Sequence, residues 1–228
     1  MGWFTKMLTS SIGKKLVMAL TGLFLCSFLL VHLYGNSNLL GDPANAKESF
    51  DGFSKFMSTF PPIRVLEIGL ALGFLLHILQ GTILYFQNKQ ARPIGYAKMP
   101  GNETSSLFSR TMIWSGALVL FFLIVHVDTF FVDVRLAQGH EASMYDAVKS
   151  AFENPAYAGF YLFSLLLLAF HLNHGFQSAF QSLGLNHKKY TPLIKGLGLA
   201  YSILVPLGFA AMPIYFIILK YYPCCGGK

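Results

Sequence analysis

Charged side chains are scarce in this chain: Asp, Glu, Lys and Arg make up 12% of its 228 residues, and 54% are hydrophobic. A soluble domain carries about 25% charged residues, so the shortage excludes a water-soluble globular protein. Cysteine is scarce too. Cys26 lies in an apolar run, and Cys224 and Cys225 are adjacent near the C-terminus. Neither set has zinc or iron–sulfur spacing, and adjacent cysteines seldom bridge each other. The terminal pair reads as incidental thiols, with lipidation as the weaker alternative. No A-x-A-like cleavage site ends the first apolar run, so that run is expected to be a retained helix and not a signal peptide.

What the chain does have is length of apolar sequence. Five runs, 16–34, 63–87, 111–132, 156–183 and 193–219, are each near or beyond the roughly 20 residues a span requires. They leave no room for an independent soluble domain. The expectation is an all-α polytopic membrane protein, a single transmembrane domain over 1–228, with five spans and a four-helix bundle among them. Gly35-Asn36-Ser37-Asn38 breaks the first helix, and Pro61-Pro62 and Pro192 open the second and fifth. Residues 41–60 read as a polar and aromatic outer segment, and a short helix is expected around 143–152. Pro206 and Pro213 are tolerable kinks in a membrane helix. No tandem repeat is evident beyond one echo: His77 and Gly81, like His171 and Gly175, fit H-x-x-x-G.

The net charge of +7 follows the same layout. With the N-terminus inside, the inner segments hold ten of the Lys and Arg residues and one acid, Glu103; the outer segments hold seven bases and nine acids. The basic bias therefore reads as positive-inside topology and as a docking face for an acidic partner, not as a nucleic-acid surface. It places the N-terminus in the cytoplasm and the C-terminus outside.

Four histidines stand inside the runs, one on each of the first four: His32, His77, His126 and His171. An ionisable side chain in hydrocarbon is costly and usually faces the bundle interior with a task. One histidine on each of four consecutive helices points to axial ligands for buried metal cofactors, which in a membrane helix bundle means haem. The first and third spans run outward with their histidines late, roughly 6–10 Å from the outer flank by helix rise; the second and fourth run inward with theirs roughly 20–26 Å deep. The pairs are then His32 with His126 toward the outside and His77 with His171 toward the inside, an arrangement for two stacked haems. His174 is the alternative on the fourth span or a neighbour of the site, and the shared H-x-x-x-G favours His171. Gly81 and Gly175 let a flat macrocycle approach the backbone. His140 and His187 fall in loops and are expected to be solvated.

These residues resemble the di-haem cytochrome b membrane anchor of succinate dehydrogenase and fumarate reductase, the type with five helices and two haems in one polypeptide. The resemblance rests on Ser10-Ser-Ile-Gly-Lys-Lys15, on Leu30-Val-His-Leu-Tyr-Gly35, on His77 with Gly81, on Ala91-Arg-Pro93, on His126, and on His171-Leu-Asn-His-Gly-Phe176. It covers nearly the whole chain. It implies two b haems with His32, His77, His126 and His171 as iron ligands. It implies a flavoprotein subunit and an iron–sulfur subunit on the cytoplasmic face of a bacterial inner membrane, and electron transfer to or from a quinone, menaquinone or ubiquinone. Dicarboxylate catalysis would belong to the partner subunits. For quinone protonation near the outer haem, Glu67 and Asp51 are the acidic candidates, and Glu67, one turn into the second span, is the better buried. The rival readings are a cytochrome b subunit of a hydrogenase or formate dehydrogenase, and a haem-free transporter with a histidine proton relay.

Overall fold

The computed structural model describes residues 10–91, 110–139 and 142–222, together with Gly2, Trp3 and Lys6. Arg92, Lys98, Glu103, His140, Cys224 and Cys225 lie outside the described residues. In chain order the elements are α1 (Ser11–Ser37), α2 (Pro43–Thr59), α3 (Pro61–Gln90), α4 (Met112–Val127) continued by a π-helical segment (Asp128–Gln138), α5 (Met144–Phe152), α6 (Pro155–Ser182) and α7 (Thr191–Tyr221). Five helical stretches, Ser11–Ser37, Pro61–Gln90, Met112–Gln138, Pro155–Ser182 and Thr191–Tyr221, are long and apolar enough to cross a membrane. The chain is thus an all-helical, multi-pass membrane protein, as its composition requires.

The starts of these helices follow from local chemistry. A helix leaves its first N–H groups without intrahelical acceptors, and a polar side chain just before the first turn supplies one. Ser10 Oγ accepts from Gly13 N at 3.0 Å, and Asn154 Oδ1 from Ala156 N at 3.0 Å. Pro61 and Pro155 occupy first-turn positions, where a missing N–H removes nothing. The end of α6 is a Schellman turn: Leu185 N donates to Phe180 O at 3.0 Å and Gly184 N to Gln181 O at 3.1 Å. Gly184 takes the φ of +79° which that turn requires.

Residues 41–60, the polar and aromatic segment of the sequence, are mostly the helix α2. Asp42 caps it by accepting from Asn45 N, and Pro43 fits the first turn. Its Ala46 and Phe50 are buried while Lys47 and Glu48 are exposed. The third span runs to Gln138 and not to 132, and its last 11 residues are π-helical. No glycine or proline stands between Asp128 and Gln138, and Gly139, with a φ of +88°, ends the segment.

The best-buried core sits at the end of the bundle where α6 begins and α7 ends. Leu39, Phe50, Tyr145, Phe152, Tyr161 and Phe216 pack there, where α2 and α5 close over the ends of α6 and α7. Lys47 of α2 pairs with Asp146 of α5, and this ammonium holds the Asp146 carboxyl below the usual carboxylate range. Toward the middle of the spans the outward faces are apolar and exposed, among them Leu79, Leu204 and Leu207. Lipid is the solvent for such faces, so close packing of small residues, not expulsion of water, holds the helices together.

Gly35 shows how close that packing is. A Cβ on Gly35 would stand 2.5 Å from Cε1 of Phe53, on α2. Gly35→Ala is therefore expected to push α2 away from α1 and to lower stability by about 1–3 kcal/mol, the usual range for overpacking. Thermal unfolding in detergent measures this, and an unchanged midpoint would contradict the contact. Gly52→Ala, with open space at its Cβ, is the control.

Candidate functional site

The four histidine-bearing helices form a ring in which α1 packs against α3 and α6, and α4 packs against α6. Of the neighbouring pairs in the ring α3 and α4 pack least closely, and α7 lies outside the ring against α6 and α1. The histidines meet across the diagonals of this ring. The His32 ring on α1 lies 5.8 Å from that of His126 on α4, centroid to centroid, and His77 on α3 lies 6.4 Å from His171 on α6. His174, three residues on, is half-buried and is not one of these paired rings. His187 is exposed in the turn after α6.

The two halves of the ring repeat each other, a relation that the short H-x-x-x-G echo only hints at. His32 and His126, like His77 and His171, are 94 residues apart (126 − 32 and 171 − 77). The same offset joins Met18 to Met112, Thr21 to Ser115, Gly22 to Gly116, Phe28 to Phe122, Pro61 to Pro155 and Gly81 to Gly175. The contacts repeat with the residues. A Cβ on Gly22 would stand 3.4 Å from His77 Cε1, and one on Gly116 would stand 3.3 Å from His171 Cε1. Met18 Cε lies 3.3 Å from the Cβ position of Gly81, and Met112 Cε lies 3.5 Å from that of Gly175. A helix pair is thus used twice. Aligning the chain against itself at that offset is the signal by which the sequence alone could have revealed it.

The repeat also fixes the levels. Thr21 touches His77 and Ser115 touches His171. From Thr21 to His32, and from Ser115 to His126, is 11 residues of helix (32 − 21 and 126 − 115), about 16 Å at 1.5 Å per residue. Two histidine pairs therefore stand one above the other across the bundle.

The surroundings of the pairs are apolar and aromatic. Phe28 stacks on His32 at 5.2 Å, and Phe122 lies 5.7 Å from His126. Phe209 of α7 reaches His32 at 5.5 Å. Tyr161 OH lies 3.0 Å from His126 Nδ1. One turn beyond His77, Gln80 Nε2 is buried and has no hydrogen-bond partner among the described residues. Gln80 is the 94-residue counterpart of His174.

These residues fit haem. An iron held between two imidazoles separates their ring centroids by roughly 6 Å, from two iron–nitrogen bonds of about 2 Å and the offset of each nitrogen from its ring centre. Both pairs match that spacing. The orphaned Gln80 amide is a donor at the edge of the inner pair, of the kind that a carboxylate-bearing cofactor would satisfy.

The carboxylates lie apart from the rings. Asp51 accepts from Ser143 Oγ at 2.6 Å and from Tyr145 N at 2.9 Å, which ties α2 to the start of α5. Glu67 pairs with Arg64 one turn before it, and lies 3.6 Å from Arg135 Nη2. Arg135 stands over the Phe131 ring, and its Nε and Nη2 are buried without hydrogen-bond partners among the described residues. A small pocket beside it is lined by Ser54, Ser58, Val134, Gly139, Ala142 and Met144. By sequence Arg135 is only an outer charge; the long third span and its π-helical end bring it to Glu67. Glu67 precedes His77 on α3 by 10 residues (77 − 67), about 15 Å by helix rise, which is the level of the His32–His126 pair.

No curated protein and no solved structure matches the chain. The family described as the succinate dehydrogenase/fumarate reductase transmembrane subunit matches residues 87–206, from the end of α3 into α7, more than half of the chain. That stretch contains His126 and His171, and α1 and most of α3, which lie before it, supply their counterparts His32 and His77. With five membrane-crossing helices and this match, the chain belongs to the succinate dehydrogenase/fumarate reductase transmembrane-subunit family.

Proposed function

We propose that the chain is the di-haem member of that family: a bacterial inner-membrane anchor, with a cytoplasmic N-terminus and a C-terminus outside, that conducts electrons between an iron–sulfur subunit and membrane quinone. The observation that carries this reading is the meeting of four histidines as two diagonal pairs, 5.8 and 6.4 Å apart between rings. His32 and His126 would hold the outer haem, and His77 and His171 the inner one. Haem iron supplies one-electron transfer when bound. The chain's own side chains do the rest. The Phe28 and Phe122 rings exclude water from the outer pair. Gln80 and His174, one turn inward of the inner ligands, are placed to donate to the haem carboxylates.

Quinone chemistry couples electrons to protons, so it needs a protonatable group near the outer haem and near water. Glu67 meets both conditions better than Asp51. Its side chain is 27% exposed, and it stands at the level of the outer pair. Asp51 already uses both carboxylate oxygens in tying α2 to α5. Menaquinone and ubiquinone both suit such a site. Flavin and dicarboxylate chemistry would lie on partner subunits, docked at the basic inner loops. Family membership favours this reading over a hydrogenase or formate dehydrogenase subunit, and the matched histidine pairs favour it over a proton relay.

Purification in mild detergent tests the proposal. The chain is expected to carry a flavin-containing subunit and an iron–sulfur subunit with it, and the complex is expected to reduce a soluble quinone with succinate or to oxidise a quinol with fumarate. Copurification with hydrogenase or formate dehydrogenase subunits instead would overturn it.

A further inference from the structure

The inner histidine pair has a feature that the outer pair lacks: each of its rings meets a hydroxyl from the neighbouring helix at Nδ1. Thr21 Oγ1 lies 3.3 Å from His77 Nδ1, and Ser115 Oγ lies 3.3 Å from His171 Nδ1. Both contacts span 56 residues of sequence, and the two are related by the 94-residue repeat. They therefore count as two occurrences of one device.

The direction of each hydrogen bond follows from hydrogen counting. A hydroxyl has one hydrogen. Thr21 Oγ1 donates it to Val17 O at 2.8 Å, and Ser115 Oγ donates its own to Met112 O at 3.0 Å, the usual back-bonding of a helical hydroxyl. Only lone pairs then remain to face the histidines. Each ring must place its proton on Nδ1 and donate it, which leaves the Nε2 lone pair free on the far side of the ring. The glycine after each hydroxyl completes the fit. At Gly22 and Gly116 a ring lies against bare backbone, at the 3.4 and 3.3 Å that a Cβ would intrude upon.

We propose that Thr21 and Ser115 are positioning residues for the inner haem: they accept hydrogen bonds from the Nδ1–H groups of His77 and His171, turn both Nε2 atoms toward one iron, and lower its reduction potential. This rests on the histidine pairs being haem ligands. The effect on potential follows because donation from Nδ1–H makes an imidazole a stronger electron donor, which favours the ferric state. His126 is served by the Tyr161 phenol, so the two levels are tuned by different chemistry on otherwise repeated helices.

Redox titration of the intact complex, followed haem by haem with optical and electron paramagnetic resonance spectra, tests this. Thr21→Val and Ser115→Ala are each expected to raise the midpoint potential of the inner haem, and together to raise it further. Thr21→Ser is expected to restore it, and the outer haem is expected to stay unshifted in all of them. Two haems bound at unshifted potentials in the double variant would overturn the proposal. Where Thr21→Val loses the inner haem, its retention in Thr21→Ser supports the hydroxyl's role. Loss from both assigns the effect to packing volume and overturns it. Absence of haem from the unsubstituted complex removes the ligand reading itself, and so is distinguishable from failure of this inference alone.

Discussion

His171→Ala is expected to remove the inner haem and lower the haem content from about two to about one per chain, while His174→Ala leaves both in place. The two residues are one helical turn apart, and only one of them has the setting of a ligand. His171 faces His77 across the bundle and rests on Ser115 and Gly116 of α4. His174 repeats Gln80, not another histidine. Removal of one axial ligand leaves the iron five-coordinate or unbound, so the spectrum changes as well as the content. Haem assay and reduced-minus-oxidised spectra of both variants read this directly. Loss in the His174 variant with normal content in the His171 variant would reverse the assignment.

Glu67→Gln is expected to slow quinone turnover on the order of a hundredfold, within the range of a lost general acid–base group, while both haems stay bound. Glutamine keeps the size of the side chain and removes the proton carrier. It also breaks an ion pair with Arg64 and leaves Arg135 without its acidic neighbour. Dye-linked activity of the soluble subunits, assayed on the same preparation, separates loss of quinone chemistry from loss of assembly. Asp51→Asn weakens acceptance from Ser143 Oγ and Tyr145 N, so its effect is expected in the docking of α5 and in stability more than in turnover. Full quinone activity in both variants would move the site to the inner side, near His77 and His171.

The spans were legible because soluble folds seldom carry apolar runs of membrane length, and the four histidines because ionisable groups inside such runs are rare. The pairing by depth was legible from helix direction alone. What was not legible came from contacts across the bundle. The repeat is spread over dispersed positions such as Met18, Thr21, Gly22 and Phe28, between which the two halves carry different residues. Arg135 reads as a loop cation until a third span running on to Gln138 carries it to Glu67. Asp51 reads as a free acid until α5 is seen to begin on it. Thr21 and Ser115 read as ordinary membrane-helix hydroxyls, since nothing in a linear sequence aims them at a ring 56 residues away.

On the proposed reading, four histidines on α1, α3, α4 and α6 hold two irons between them. Pyridine haemochrome assay of the purified complex, scaled to this chain and read beside its low-temperature electron paramagnetic resonance spectrum, measures it most directly. About two b haems per chain, both low-spin with two histidine ligands, is the predicted result. One haem per chain, none, or a high-spin five-coordinate signal in the native complex would contradict it.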